Sequence, residues 1–308
     1  RFASHYHLFR GTPTRLWLDH SFQTLFDIER RLSAETADFY YDRISERLAQ
    51  DSYRPRALFE RFNIEAIATT ESALDDLAHH RTIRDSGWGG RVITTYRPDA
   101  VIDPDFPGFA DNLARLGEIT GCDVASYAGY LDAHRARRAY FREFGATATD
   151  HGHPTARTAD LPRAEAEALF ARVTDGSASA ADRETFRAQM LTEMARLSVE
   201  DGMVMQIHAG SFRSHSDRIA AGFGRDKGFD IPQPTNYVTA LKPLLDAVGL
   251  EPGLTIILFS IPARHDVARR VDCAYLADLV VTGRLVEDEA FEVAHDLAYR
   301  LAKEAYRL

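Results

Sequence analysis

The run Gln206-Ile207-His208-Ala209-Gly210-Ser211-Phe212-Arg213 holds the residue types that proton transfer and carboxylate recognition require. Alternation along a strand sends Gln206 and His208 to one side. Gly210 lets the backbone turn sharply after them, and Arg213 is then placed to swing a guanidinium over the strand tip. A second group is Tyr96-Arg97-Pro98-Asp99, where an arginine at a strand end suits a two-point grip on a carboxylate. The plainer reading is an Arg97–Asp99 surface pair of little energetic weight. A third is Asp150-His151-Gly152-His153, in which Asp150 or His151 could orient an imidazole or carry a proton. His151 and His153 could chelate one metal if the chain stayed extended, but Gly152 and Pro154 argue that it turns. His5-Tyr6-His7 has the same spacing with no apolar strand before it, and reads as a loop near a pocket. The pair Cys122 and Cys273 is too sparse for a disulfide framework or a zinc knuckle.

These residues need elements to aim them. Five short β-prone runs, at 64–70, 91–97, 146–152, 202–208 and 254–259, alternate with amphipathic helical stretches. Examples of the latter are 72–85, 106–119, 127–144, 163–173, 181–200 and 237–248. Nearly all-apolar strands alternating with helices imply a parallel sheet under helices. Thr70, Arg97, Asp150, His151, Gln206 and His208 fall at the C-terminal ends of the strands, where parallel α/β folds place their sites. The expected architecture is an α/β (β/α)8 TIM-like barrel, ahead of a doubly wound sheet. Residues 1–63 read as a helical N-terminal part or insertion, and 64–308 as the barrel with C-terminal helices.

Composition narrows the partners. The 308 residues are 45% hydrophobic and 27% charged, with net charge −9, which is ordinary for a globular protein and excludes fibrous or disordered classes. The acidic balance opposes sequence-independent nucleic-acid binding. No apolar run reaches membrane-spanning length and no signal-peptide pattern opens the chain, so a cytoplasmic protein with no membrane partner is expected.

On these residues the chain resembles the uronate isomerase (glucuronate isomerase) family of the amidohydrolase superfamily. The resemblance runs through residues 7–17, 56–63, Thr69-Thr70-Glu71-Ser72, Thr95-Tyr96-Arg97-Pro98-Asp99, Thr149-Asp150-His151-Gly152 and the Gln206 to Arg213 run. It implies a distorted barrel with a helical insertion, aldose–ketose isomerisation of hexuronates, a divalent metal (zinc), and a small-molecule uronate substrate. A homo-oligomer is compatible with it. It further implies that Arg97 or Arg213 grips the substrate carboxylate and that Gln206 positions a hydroxyl. His208 would lie near the metal or the reacting carbonyl, with Asp150 or His151 serving proton transfer or orientation. Two family features are missing here: an Asp-x-His-x-His metal motif on the first strand, and a Trp-Trp segment with an Asp-bearing strand late in the barrel. Residues 259–266 therefore read as a junction, several of eight strands are expected to be missing, and the main metal ligands are expected outside this sequence. The competing readings are a metal-dependent hydrolase on the same barrel and a non-catalytic sugar-acid-binding protein.

Overall fold

The computed structural model describes residues 1–224, 227–259 and 265–308, with side chains of 265–269 not described. The expected junction at 259–266 thus lies largely outside the described residues. The chain divides into two compact units, Arg1–Glu65 with Ala263–Leu301, and Ala66–Pro262 with Ala302–Leu308.

The first unit is helical among its described residues. Pro13–Phe26 starts on Thr12, whose side chain accepts from the Arg15 N–H, with Pro13 in the first turn where its missing donor costs nothing. Tyr6, Ile28, Leu32 and Tyr40 are buried together, with Phe22 and Phe26 packed against them. Further helices are Ala37–Leu48, Pro55–Arg61, His265–Val281 and Glu287–His295.

The second unit holds the sheet. Its strands are β1 (Ile67–Ser72), β2 (Val92–Arg97), β3 (Ala148–His151), β4 (Val204–Ile207), β5 (Ser211–Phe212), β6 (Ile231–Pro232) and β7 (Ile256–Leu258). The main sheet has the order β1-β2-β3-β4-β7 and every pair is parallel, while β5 and β6 form a separate antiparallel pair. A doubly wound sheet reverses its strand order at a switch point. Here the order never reverses, which is the arrangement of a barrel wall. Five strands make an open arc, with β1 and β7 as its edges among the described residues.

Helices Phe109–Thr120, Tyr127–Glu143, Arg163–Thr174 and Ala180–Asp201 supply the cover. Tyr96, Met205 and Ile207 from the strands share one core with Tyr130, Phe141, Phe170, Phe186 and Met190 from the helices. Two expected helices differ. The one anticipated from residue 72 begins at Ala78, because the Asp75 and Asp76 carboxylates accept the N–H groups of Leu77 and Ala78 and hold a turn. The stretch 237–248 is broken into Tyr237–Ala240 and Lys242–Val248, with Pro243 placed in the first turn of the second piece. No helix of the described residues is long and apolar enough to cross a membrane.

Candidate active site

Parallel register builds the site. Asp150 on β3 pairs with Gln206 on β4, so their side chains leave the same face, and His208 two residues on returns to that face. The His208 N–H donates to the His151 carbonyl at 3.1 Å, which extends the ladder beyond β4. His208 Nε2 reaches Asp150 Oδ1 at 3.0 Å, and Arg97 Nη1, from the end of β2, lies 3.6 Å from Asp150 Oδ2. Asp150 is buried, and the His208 side chain is about one-fifth exposed. If His208 carries its proton on Nε2, Asp150 accepts it and the Nδ1 lone pair becomes the basic site.

Beside this pair opens a cleft of about 370 Å³, lined by Ser72, Arg97, Asp99, Phe106, Gly152 and Arg213 among others. Arg213 arrives there through Gly210, whose φ of 122° is in the region that favours glycine and turns the chain into β5. Arg213 Nη1 stands 3.6 Å from Asp230 Oδ2, whose other oxygen accepts the Ser214 N–H at 2.8 Å.

Asp150, His208 and Arg97 are therefore brought together, and Arg213 shares a cleft with Arg97. Of the other expected site residues, His151 is not brought there, and Gln206 shares the Asp150 face but is held by other partners. His151 follows Asp150 by one position, so strand alternation turns it to the other face. It is fully buried, with Nε2 3.0 Å from Thr149 Oγ1 and Nδ1 without a partner. Burial first, and the neighbouring His153 second, hold its imidazole well below the usual histidine range, so it is neutral. Gln206 is engaged elsewhere: Tyr306 donates to its Oε1 at 2.8 Å, and its Nε2 donates to the Thr149 carbonyl at 3.3 Å. His5 and His7 lie in short helical turns, Phe2–His5 and Tyr6–Phe9, rather than in a loop. Both are exposed, while the intervening Tyr6 is buried and donates to Asp19 at 2.7 Å.

Asp99, read from the sequence as half of a surface pair with Arg97, and Gly152, read as a turn residue, both belong to the cluster. Asp99 is buried, accepts from Arg97 Nε at 2.8 Å, and takes the Gly152 N–H between its two oxygens at 3.2 and 3.3 Å. The signal in the sequence was Arg97-Pro98-Asp99: Pro98, at φ −85° and ψ −2°, turns the chain after β2, and Asp99 meets Arg97 Nε.

A metal site was tested on the donors. Among the described residues no group of three or more His, Cys, Asp or Glu side chains is placed to hold an ion. His208 Nε2 is committed to Asp150, and the same carboxylate already faces the Arg97 cation. These residues do not fit the zinc that the resemblance implies.

A sequence model of glucuronate isomerase matches residues 1–263. The chain belongs to the glucuronate isomerase family. Relatives within the family include a uronate isomerase from Rhizobium meliloti, 56% identical over 371 residues, covering all of this chain and 79% of that protein. Another, from Rhizorhabdus wittichii, is 53% identical over 369 residues, covering 99% of this chain and 79% of its own length. The crystal structure of glucuronate isomerase from Caulobacter crescentus superposes with a TM-score of 0.95 at 46% identity, covering 99% of this chain and 77% of that one. A uronate isomerase structure from Thermotoga maritima shares the fold, with a TM-score of 0.78 at 23% identity over 89% of this chain and 59% of that one.

Proposed function

We propose that this chain is an aldose–ketose isomerase of hexuronates, interconverting D-glucuronate with D-fructuronate and D-galacturonate with D-tagaturonate. The observation that carries the reading is the Asp150–His208 pair, with two guanidiniums beside it, at the C-terminal ends of parallel strands. An acid–base pair moves the proton, and a guanidinium recognises the acid end of the sugar.

The open-chain substrate lies in the cleft with its C6 carboxylate on Arg213, whose fork matches two oxygens. His208, oriented by Asp150, takes the proton from C2. The C2–H electron pair forms the C1–C2 double bond of an enediol while the aldehyde oxygen takes a proton from solvent, which is returned when the C2 hydroxyl releases its own. Returning a proton to C1 as the C2 hydroxyl loses its own gives the ketose. His151 has no step in this scheme, because it is buried on the opposite face.

Purified protein, given glucuronate and a reductase specific for the ketose product, should consume the reduced nicotinamide cofactor. Run in heavy water, the product should carry solvent deuterium on carbon. Turnover without deuterium would replace the enediol with a hydride shift. Hydrolysis of amides or lactones with no uronate turnover would overturn the reaction class.

A further inference from the structure

Asp99 accepts a hydrogen bond from Arg97, whose guanidinium faces Asp150. Its Oδ2 holds Arg97 by Nε at 2.8 Å, and its two oxygens share the Gly152 N–H. A guanidinium is planar with its donors in a fixed fork, so anchoring Nε sets the plane of the whole group. The Nη1 then stands 3.6 Å from Asp150 Oδ2, longer than a direct charge-assisted hydrogen bond. The other Asp150 oxygen is left to His208 at 3.0 Å. Gly152 completes the fit. A Cβ there would come within 2.3 Å of Arg97 Nη2, and within 2.8 Å of both Asp99 Oδ2 and His208 Cε1.

We infer that Asp99 is a positioning residue: by anchoring Arg97 through Nε it keeps the guanidinium from closing on Asp150, which leaves that carboxylate to orient His208. Arg97 then serves Asp150, and the grip on the substrate carboxylate falls to Arg213. What the oriented pair does chemically rests on the isomerase reading; the anchoring does not.

The test uses the full chain with Asp99→Asn and Asp99→Glu, read by nuclear magnetic resonance at the Arg97 Nε–H and the His208 ring. Asp99→Asn removes the anchoring charge, so both signals should move together, and Asp99→Glu should return them toward wild type. With glucuronate, Asp99→Asn should lower kcat about tenfold or more while KM stays within about threefold. An unchanged His208 signal in a folded Asp99→Asn protein overturns the inference. So does a loss carried in KM, which would make Arg97 the carboxylate grip. If both Asp99 variants fail to fold, Arg97→Lys, which lacks the fork, must shift the His208 signal instead; a silent ring overturns the inference. If the wild-type chain isomerises no uronate while the His208 signal responds as stated, the isomerase reading fails and the positioning role of Asp99 stands.

Discussion

Arg213 and Arg97 are the same residue type at the same cleft, but their surroundings differ. Arg97 lies between two carboxylates, Asp99 and Asp150, whereas Arg213 Nη1 stands 3.6 Å from Asp230 Oδ2. A lysine at 213 would keep the charge and lose the fork. Arg213→Lys should therefore lower kcat/KM on uronates about tenfold to over a hundredfold, corresponding to roughly 1.5–3 kcal/mol for a charge-assisted pair. Steady-state kinetics on glucuronate and galacturonate check this, and an unchanged kcat/KM would move the carboxylate grip off Arg213. At this scale much of the site was legible. His208, Asp150 and Arg97 stood out by type and by position at strand tips, and Arg213 by type beyond the turn at Gly210. Asp99 did not, because a carboxylate two residues from an arginine is usually a solvated pair, and only its burial distinguishes it.

At the scale of elements, helix Tyr127–Glu143 meets the sheet through a buried polar contact. Tyr96 of β2 and His134 of the helix share a 2.7 Å hydrogen bond, and both side chains are fully buried. Burial, with Arg138 nearby, lowers the His134 pKa to about 3, and His151 and His153 are also lowered by burial. A histidine with a depressed folded pKa stays neutral in the native state while the unfolded chain takes up a proton below about pH 6.5. Stability from this source is thus present at neutral pH and declines as pH falls through that value. For His134 the loss continues down to about pH 3. Between pH 7 and 5 it should reach about 2 kcal/mol for His134, whose folded pKa of about 3 lies below that window. Paired carboxylates such as Glu200, whose pKa Arg135 lowers, act in a more acidic window. Urea denaturation at the two pH values should show the decline, and His134→Gln should remove about one proton's share of it. An equal pH dependence in wild type and variant would exclude His134 as a contributor.

For the whole molecule, the decisive quantity is how much barrel wall is present. Among the described residues five parallel strands form one open sheet, and the alignments to relatives run over 371 residues against the 308 of this chain. Those relatives therefore carry stretches within the aligned span that have no counterpart here. A catalytic zinc takes about three protein ligands, and the described residues assemble no such set. The 308-residue chain, purified and dialysed, should hold far less than one zinc per chain by elemental analysis. One tightly held zinc per chain would show that residues outside the described set, or a rearranged His5–His7 pair, complete a site.

The sequence by itself determined the strand–helix alternation, the parallel sheet and the residues at its strand tips. Those follow from local hydrophobic period and from which polar groups interrupt it, and both are properties of short windows. It also carried the family, through motifs spread from His7 to Arg213. Only the tertiary structure decided which neighbours meet. Register put Asp150 against His208 and turned His151 away, since a one-residue step reverses the face of a strand. Gln206 shares the Asp150 face, but Tyr306, one hundred residues later, occupies its amide oxygen. Gly152, from another strand end, leaves room for Arg97, Asp99 and His208 to converge, since a Cβ there would meet all three. Contacts between residues distant in the chain depend on packing, and no local pattern encodes them.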